Sequence, residues 1–141
     1  ATGLLNRFGK GLGVLAADAL WQDRDPNPQS RVRDLVKCAE PFTTKYLDDD
    51  EVALTAIGHD FAAEDIQGEW IGLAKFTDQG SNRVRAEIEA MKNEDVAEQA
   101  SMIDLFSRLL SAGEDIRVIY IPGHWLDIDN ADDLADAQKF L

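Results

Sequence analysis

The sequence predicts an α/β fold in which a mixed β-sheet is flanked by helices. Short apolar, β-rich segments are interleaved with segments of helical periodicity, a pattern typical of layered α/β or α+β structures. Hydrophobic residues make up 45% of the chain and charged residues 29%, close to the averages of soluble globular proteins, so the chain is expected to fold. A chain of 141 residues forms one hydrophobic core by default, and we expect residues 1–141 to be a single domain.

The first half of the chain predicts three strands. Residues 13–17 are a short apolar run typical of a buried strand end. Residues 22–33 are polar and contain two prolines, which cannot donate to a sheet ladder, so this segment is expected to be an exposed loop. Residues 35–39 and 51–57 are predicted to pair as a hairpin, with the acidic residues 48–50 in the turn between them.

The second half predicts a central strand followed by two helices. Residues 69–76 are apolar on both faces, as a central strand covered by helices would be. Residues 78–92 show the spacing of an amphipathic helix, and Thr77 is placed to cap its start. Apolar residues from Val96 to Leu110 then repeat at helical spacing. Gly113 stands where a left-handed cap would end this second helix.

The last segments predict two further strands and a final helix. Residues 116–121 are the clearest strand in the sequence, and a Pro-Gly pair ends it. Residues 125–129 resume an alternating pattern, and Asn130 can cap a helix that continues to the last residue. Alternation places Asp127 and Asp129 on one face of their strand, with Cα atoms about 7 Å apart.

Two carboxylates at this spacing are able to converge on one hard cation, directly or through water. The alternative is that Asp127 and Asp129 both face solvent and that Asp129 helps to start the next helix, where negative charge is favourable. The spacing alone leaves both interpretations open.

The net charge of the chain restricts its partners. The 27 Asp and Glu residues outnumber the 14 Lys and Arg residues, which gives a formal net charge of −13. Such a field repels phosphate backbones and anionic lipids, so neither nucleic acid nor a membrane surface is an expected partner. A nucleotide would also be repelled unless a divalent cation neutralised its phosphates, so phosphate chemistry here should depend on a metal ion.

The compartment expected from the sequence is the cytoplasm. No apolar run approaches the roughly 20 residues of a membrane helix, and the first residues lack the apolar core of a signal peptide. The single cysteine, Cys38, cannot form an internal disulfide, which fits a reducing compartment. It is expected to be a buried, unreactive thiol.

Two motifs carry a resemblance to a known enzyme family. They are GEWIGLAKF at residues 68–76 and GHWLDIDNADDL at residues 123–134. In this order and separation they resemble the nucleotidyltransferases that act on sugar phosphates, phosphocholine and phosphonates. The similarity extends over about residues 12–141. It is closest to the cytidylyltransferase domains found alone or fused to phosphoenolpyruvate mutase.

The resemblance implies an activity and a cofactor. The activity is transfer of a cytidylyl group from CTP to a phosphate or phosphonate acceptor, with release of pyrophosphate, on a Rossmann-like mixed sheet. The cofactor is Mg²⁺, with Asp129 as a ligand and Asp127 as a second ligand or a group that holds one; both would be catalytic. A metal that clamps the phosphate and acceptor oxygens in line would offset the charge of the transition state.

Part of the family pattern is missing from this chain. The family carries a glycine-rich signature, G-x-G-x-R followed by Pro-Lys, and a further metal-binding Asp near its amino terminus. Residues 9–13, GKGLG, resemble it only superficially, because no Arg follows in place and no apolar strand precedes them. We therefore expect the carboxyl-terminal portion of a partial Rossmann-like domain. Such a portion is expected to form a homo-oligomer or to associate with the absent half.

Four more residues are candidates for substrate binding: Glu69, Trp70, His124 and Asp18. Glu69 and Trp70 match the family strand near the acceptor pocket, where an aromatic face is able to hold a cationic or apolar group. The alternative for Trp70 is core packing, and for His124 it is a turn beside the acidic strand. Asp18, with Trp21, would line the same cleft at a strand carboxyl end, or simply lie in a loop.

The sequence leaves two classes of function open. It contains no G-x-S-x-G, H-E-x-x-H, paired C-x-x-C or P-loop motif, so the common hydrolase, zinc and ATPase signatures are absent. The leading interpretation is a nucleotidyltransferase domain. The alternative is a non-catalytic α/β module that keeps half of the fold and acts through association.

Overall fold

The computed structural model describes residues 11–24, 33–42 and 51–123, together with residues 135 and 138. In this part of the chain the strands are β1 (Gly13–Asp18), β2 (Leu35–Cys38), β3 (Val52–Gly58), β4 (Gly68–Phe76) and β5 (Ile116–Ile121). The helices are α1 (Trp21–Arg24), α2 (Asp78–Asn93) and α3 (Met102–Ser111). Single 3₁₀ turns occur at Ala63–Asp65 and Ala97–Gln99. The predicted mixture of helices and strands is confirmed.

The five described strands close into a barrel in the order β1-β4-β2-β3-β5. β1 and β5 are parallel, and the other neighbouring pairs are antiparallel. The sheet is therefore mixed, as the sequence predicts, whereas closure of the strands into a barrel was not predicted. The parallel register ends with Asp18 opposite Ile121, so the carboxyl ends of β1 and β5 lie side by side at one end of the barrel.

β1 is the most deeply buried strand. Val14 to Ala17 are completely inaccessible to solvent, because β1 is paired on one side with β4 and on the other with β5. Leu15 and Ala17 belong to the main hydrophobic core. The buried strand predicted from the apolar run is confirmed, and it extends one residue further, to Asp18.

The hairpin predicted from β2 and β3 is confirmed as an antiparallel pair. Its register runs from Leu35 opposite Gly58 to Cys38 opposite Leu54. The predicted acidic turn at residues 48–50 lies outside the described residues.

β4 differs from the predicted strand with two covered faces. Gly68, Glu69 and Trp70 are buried, but Leu73 is 43% exposed. Leu15 pairs with Ala74 while Ala17 pairs with Trp70, so β4 carries a bulge between these two pairs. Gly72, inside the bulge, has φ +89°, a conformation that glycine adopts at little cost. The prediction of a fully covered strand is wrong at the bulge, where Gly72 and Leu73 are exposed, whereas Ala74 and Phe76 beyond it pack against the core.

α2 begins and ends almost where the sequence predicts. The side chain of Thr77 accepts a hydrogen bond of 2.8 Å from Gly80 N, which satisfies one of the first backbone donors of the helix. Gly80 packs directly on the backbone of Leu12, and a side chain at this position would overlap the Leu12 carbonyl. Thr77 N also donates to that carbonyl at 2.9 Å. These contacts fix the start of α2 against the start of β1.

α3 is shorter than the helix predicted from residue 96 onwards. Ser101 and Asp104 form a reciprocal capping box, which starts the helix at Met102 and leaves the preceding residues to a 3₁₀ turn. The predicted end is confirmed, because Gly113 has φ +85°. Glu114 N donates to Leu109 O at 3.0 Å in the bond pattern of a glycine cap.

The core lies between the barrel and α3. Phe106 is fully buried, and its ring meets the ring of Trp70 edge to face, with the centroids 5.2 Å apart. Phe76 also packs on the ring of Phe106, with the centroids 6.2 Å apart. α3 is therefore anchored to β4 by aromatic contacts.

A surface network of charges joins α2 to α3. Arg108 Nε lies 2.7 Å from Glu87 Oε1, and Arg83 Nη1 lies 2.9 Å from Glu87 Oε2. Arg108 also contacts Glu94 at 2.6 Å, and Arg83 contacts Glu114 at 3.0 Å. Hydrogen bonds from Arg83 and then Arg108 lower the pKa of Glu87. The network ties the two helices to the loop before β5.

Candidate functional site

Two predicted site residues meet at one end of the barrel. Asp18 is the last residue of β1, and Glu69 is its direct cross-strand partner in β4. Both carboxylates are buried, with 0% exposure for Asp18 and 4% for Glu69. Directly opposed residues of an antiparallel pair point to the same face. The structure therefore brings Asp18 and Glu69 together, although the chain separates them by about fifty residues.

Local geometry fixes the carboxylate of Asp18. Its Oδ1 accepts a hydrogen bond of 2.9 Å from Leu20 N, an arrangement by which aspartate side chains close tight turns. The chain therefore turns immediately after β1 and enters α1. This hydrogen bond holds the Asp18 side chain at the end of the barrel where β1 terminates.

Arg33 lies beside the carboxylate of Glu69. It is 6% exposed, and its Nη1 lies 3.8 Å from Glu69 Oε1. The same nitrogen donates to Trp21 O at 3.2 Å, and the guanidinium carbon lies 5.4 Å from the centroid of the Trp21 ring. We call Asp18, Trp21, Arg33 and Glu69 the β1-end cluster.

The β1-end cluster lies where α/β proteins commonly bind ligands. Asp18 is opposite Ile121 in the parallel pair, so the cluster is at the carboxyl ends of two adjacent parallel strands. Carboxylate oxygens are the protein ligands that Mg²⁺ prefers. Asp18 and Glu69 place two buried carboxylates at this end of the barrel, and Arg33 is paired with the carboxylate of Glu69.

The other predicted site residues are distributed differently. Trp70 follows Glu69 and faces the opposite side of the strand, where it is part of the hydrophobic core. Its Nε1 donates to Leu73 O at 2.9 Å, so its polar atom serves the bulge of β4. His124, Asp127 and Asp129 lie outside the described residues.

Sequence reasoning missed Arg33 and misjudged its surroundings. The predicted exposed loop at residues 22–33 is only partly confirmed at its described ends. Gln22 is exposed but lies in a helix, because α1 continues through Arg24, and Arg33 is buried. The signal that could have identified Arg33 is its position two residues before Leu35. In an extended chain, side chains two residues apart point to the same side, and Leu35 is a buried strand residue. The carboxylate partner of Arg33, Glu69, is remote in sequence.

Cys38 is only partly buried, whereas the sequence predicts a buried thiol, but its raised pKa agrees with the expected lack of reactivity. Burial raises its pKa to about 11, against a smaller lowering by a hydrogen bond with Tyr120. The thiol is therefore protonated at neutral pH and weakly nucleophilic. Cys38 is given no part in the candidate site.

Two kinds of feature, a metal-binding group and a membrane-spanning helix, are absent from the described residues. The described residues contain no group of three or more His, Cys, Asp or Glu side chains arranged to hold a metal ion. Asp18 and Glu69 alone would therefore supply an incomplete ligand set for a cation. Within the same ranges, none of the helices has the length and apolar character needed to cross a membrane.

Two comparisons with known proteins give no match. No protein-family model fits the chain, and no curated protein matches its sequence. The resemblance carried by residues 68–76 and 123–134 therefore stays a prediction.

Proposed function

We propose that this chain is part of a Mg²⁺-dependent nucleotidyltransferase domain that transfers a cytidylyl group from CTP to a phosphate or phosphonate acceptor. The observation that carries the proposal is the placement of Asp18 and Glu69 as adjacent buried carboxylates at the carboxyl end of β1. β5 runs parallel beside β1, and the motif containing Asp127 and Asp129 follows β5 a few residues later in the sequence.

The proposed site combines the two sets of carboxylates. In this proposal Asp127 and Asp129 are the metal ligands implied by the family resemblance, and Asp18 and Glu69 contribute from the barrel end. Mg²⁺, when bound, supplies the positive charge that a chain of net charge −13 lacks for holding a triphosphate. His124 and the ring of Trp21 are the proposed contacts for the phosphorylated or phosphonate acceptor.

A Rossmann-like origin of the sheet belongs to the same proposal. β1 and β5 form a parallel pair, and α2 and α3 lie between β4 and β5 in the chain, as helical connections do in α/β folds. Among the described residues, β3 pairs with β5 at Val52 and Ala53. We propose that this short contact between β3 and β5 closes an otherwise open mixed sheet into the barrel.

The test is pyrophosphate release from CTP in the presence of Mg²⁺ and an acceptor such as phosphocholine or 2-aminoethylphosphonate. It uses a protein in which this chain is joined to a glycine-rich nucleotide-binding segment, because the family signature for that segment is not found here. Asp129→Ala should abolish turnover, whereas Asp60→Asn, at an exposed position, should not. Unchanged turnover in Asp129→Ala would reject the proposal.

The second candidate is a non-catalytic α/β module that acts through association. Large apolar side chains are exposed on the described surface, namely Leu20, Leu73, Val96 and Met102. Apolar side chains on a surface favour association when they form a patch, and the partner would be a second copy or the absent half of the domain. Light scattering that shows a monodisperse monomer would count against association. A stable dimer that binds neither Mg²⁺ nor CTP would favour this candidate.

A further inference from the structure

A groove, here called the α2–α3 groove, lies between the carboxyl end of α2, the 3₁₀ turn Ala97–Gln99 and α3. Its volume is about 350 Å³, at the small end of the range for small-molecule sites. Met91, Val96 and Ala100 give it an apolar part, and Val96 is 42% exposed. The groove therefore offers apolar surface to the apolar part of a ligand.

Asp95 lines the α2–α3 groove from a position where local structure favours glycine. Val96 N donates to Met91 O at 3.0 Å, the bond of a Schellman motif at the end of α2. Asp95 takes the left-handed conformation of this motif, with φ +58°, which costs aspartate more than glycine. Its negative charge is also unfavourable at the carboxyl end of a helix. A residue that departs from two local preferences is expected at a functional position.

The acceptor atoms of the groove match an ammonium group. Asp95 is exposed, and within the described residues no hydrogen bond or ion pair reaches its carboxylate. Ser101 N and Oγ contact Oδ2 of Asp104, so Oδ1 of Asp104 is left to accept from a ligand. The side-chain carbonyl of Gln99 is a third acceptor in the same lining. A primary ammonium group carries three N–H donors and no acceptor, which agrees with this set.

Anions and metal ions fit the α2–α3 groove less well. Arg108 also lines it, but its guanidinium is held by Glu87 at 2.7 Å and by Glu94 at 2.6 Å, so its charge is already balanced. An anion would in addition be repelled by Asp95 and Asp104. The described residues form no metal-binding group of three side chains, and hard cations take six or more oxygen ligands. An organic cation is the class that remains.

We propose that the α2–α3 groove binds a small organic cation, an ammonium group carried on a short apolar chain. The ammonium group lies against Asp95 and Asp104, and the apolar chain packs on Met91 and Val96. The ligand is a free small molecule, because a stable protein interface buries about 800 Å² on each partner, far more than a groove of this size provides. The β1-end cluster takes no part, so the inference is independent of the proposed function.

Titration of the full chain with hexylammonium chloride, followed by the amide signals in heteronuclear NMR, tests the proposal. The signals of Asp95, Val96 and Ala100 should shift, because these residues line the groove. Methylammonium has the charge alone and should bind at least tenfold more weakly, since burying two methylene groups is already worth about tenfold. Hexanol has the apolar chain alone and should bind about fivefold more weakly. Shifts confined to other parts of the chain, or equal affinity for hexanol, would overturn the proposal.

Substitutions of Asp95 separate binding from folding. Asp95→Asn removes the charge and still tolerates the left-handed conformation, so it should weaken hexylammonium binding about fivefold, the upper range for an ion pair near the surface. Asp95→Gly should weaken binding equally and raise the urea midpoint by about 0.3 M, because glycine takes this conformation at little cost. Asp60→Asn makes the same change of charge at an exposed position outside the groove and should alter neither quantity.

The variants also state what would contradict the proposal. Unchanged affinity in Asp95→Asn would remove Asp95 as the partner of the ammonium group. A urea midpoint that does not rise in Asp95→Gly would show that local structure itself favours aspartate here, and the argument from Asp95 would fail. A short lysine peptide, blocked at both ends, that binds the groove tenfold more tightly than hexylammonium would contradict the small-molecule assignment and make the groove a protein-docking surface.

Discussion

Replacing Phe106 with alanine should remove a large part of the stability of the fold. The Phe106 ring is completely buried and packs edge to face on Trp70 at 5.2 Å and against Phe76 at 6.2 Å. Truncating a buried Phe to Ala costs about 3–5 kcal/mol. The upper part of that range applies here, because the contact with the Trp70 ring, worth about 0.5–1.5 kcal/mol in such pairs, is lost as well.

Urea unfolding followed by far-ultraviolet circular dichroism measures this loss. With a slope of roughly 2 kcal/mol per molar urea, a cost of about 4–5 kcal/mol lowers the midpoint by about 2–2.5 M. Leu73→Ala is the matched control, because Leu73 is apolar but 43% exposed, and it should shift the midpoint by less than about 0.5 M. Equal midpoints for the two variants would refute the assignment of Phe106 as the anchor of α3.

Three further outcomes follow from named contacts. Ser101→Ala removes the capping box with Asp104 and should lower the free energy of unfolding by about 1 kcal/mol, as measured by urea titration; no change would show that α3 starts without it. Hydrogen bonds from Arg83 and Arg108 lower the pKa of Glu87 in the folded state. The stabilisation that ionised Glu87 gives is therefore complete above its unfolded pKa near 4.5. It is lost as the pH falls through the lower pKa of the folded state. Glu87→Gln should therefore flatten the acid limb of the stability curve, and an unaltered limb would contradict the network. The thiol of Cys38, with its pKa raised to about 11, should react with iodoacetamide slowly at pH 8 and much faster only above pH 10, whereas fast alkylation at neutral pH would contradict its burial.

Local sequence signals predicted most of the elements of the fold. The buried strand β1, the β2–β3 pair, α2 and the glycine cap of α3 depend on short apolar patterns and on single capping residues, which are readable along the chain. The bulge of β4 also left a signal, because an isolated glycine such as Gly72 inside a strand pattern often marks one. Closure of the strands into a barrel left no such signal in the sequence. The contact between Val52 in β3 and Val118 in β5 is set by tertiary packing.

The candidate site was only partly predictable for the same reason. Asp18 and Glu69 could each be selected as candidates, from a strand end and from a family motif. Their meeting depends on the register of β1 against β4, which the bulge shifts. The burial of Arg33 could not be predicted from its local sequence, because its contacts are with Trp21 and Glu69, neither of which is its neighbour in sequence.

Binding of CTP to a protein in which this chain is joined to a glycine-rich nucleotide-binding segment, measured by calorimetry with and without Mg²⁺, tests the central claim most directly. We expect CTP to bind in the presence of Mg²⁺ and chelation of the metal to abolish binding. Asp18→Asn should weaken binding about tenfold, while Asp60→Asn should not. CTP binding that is equally strong without Mg²⁺, or that is unaffected by Asp18→Asn, would contradict the claim that the carboxylates at the end of β1 belong to a metal and nucleotide site.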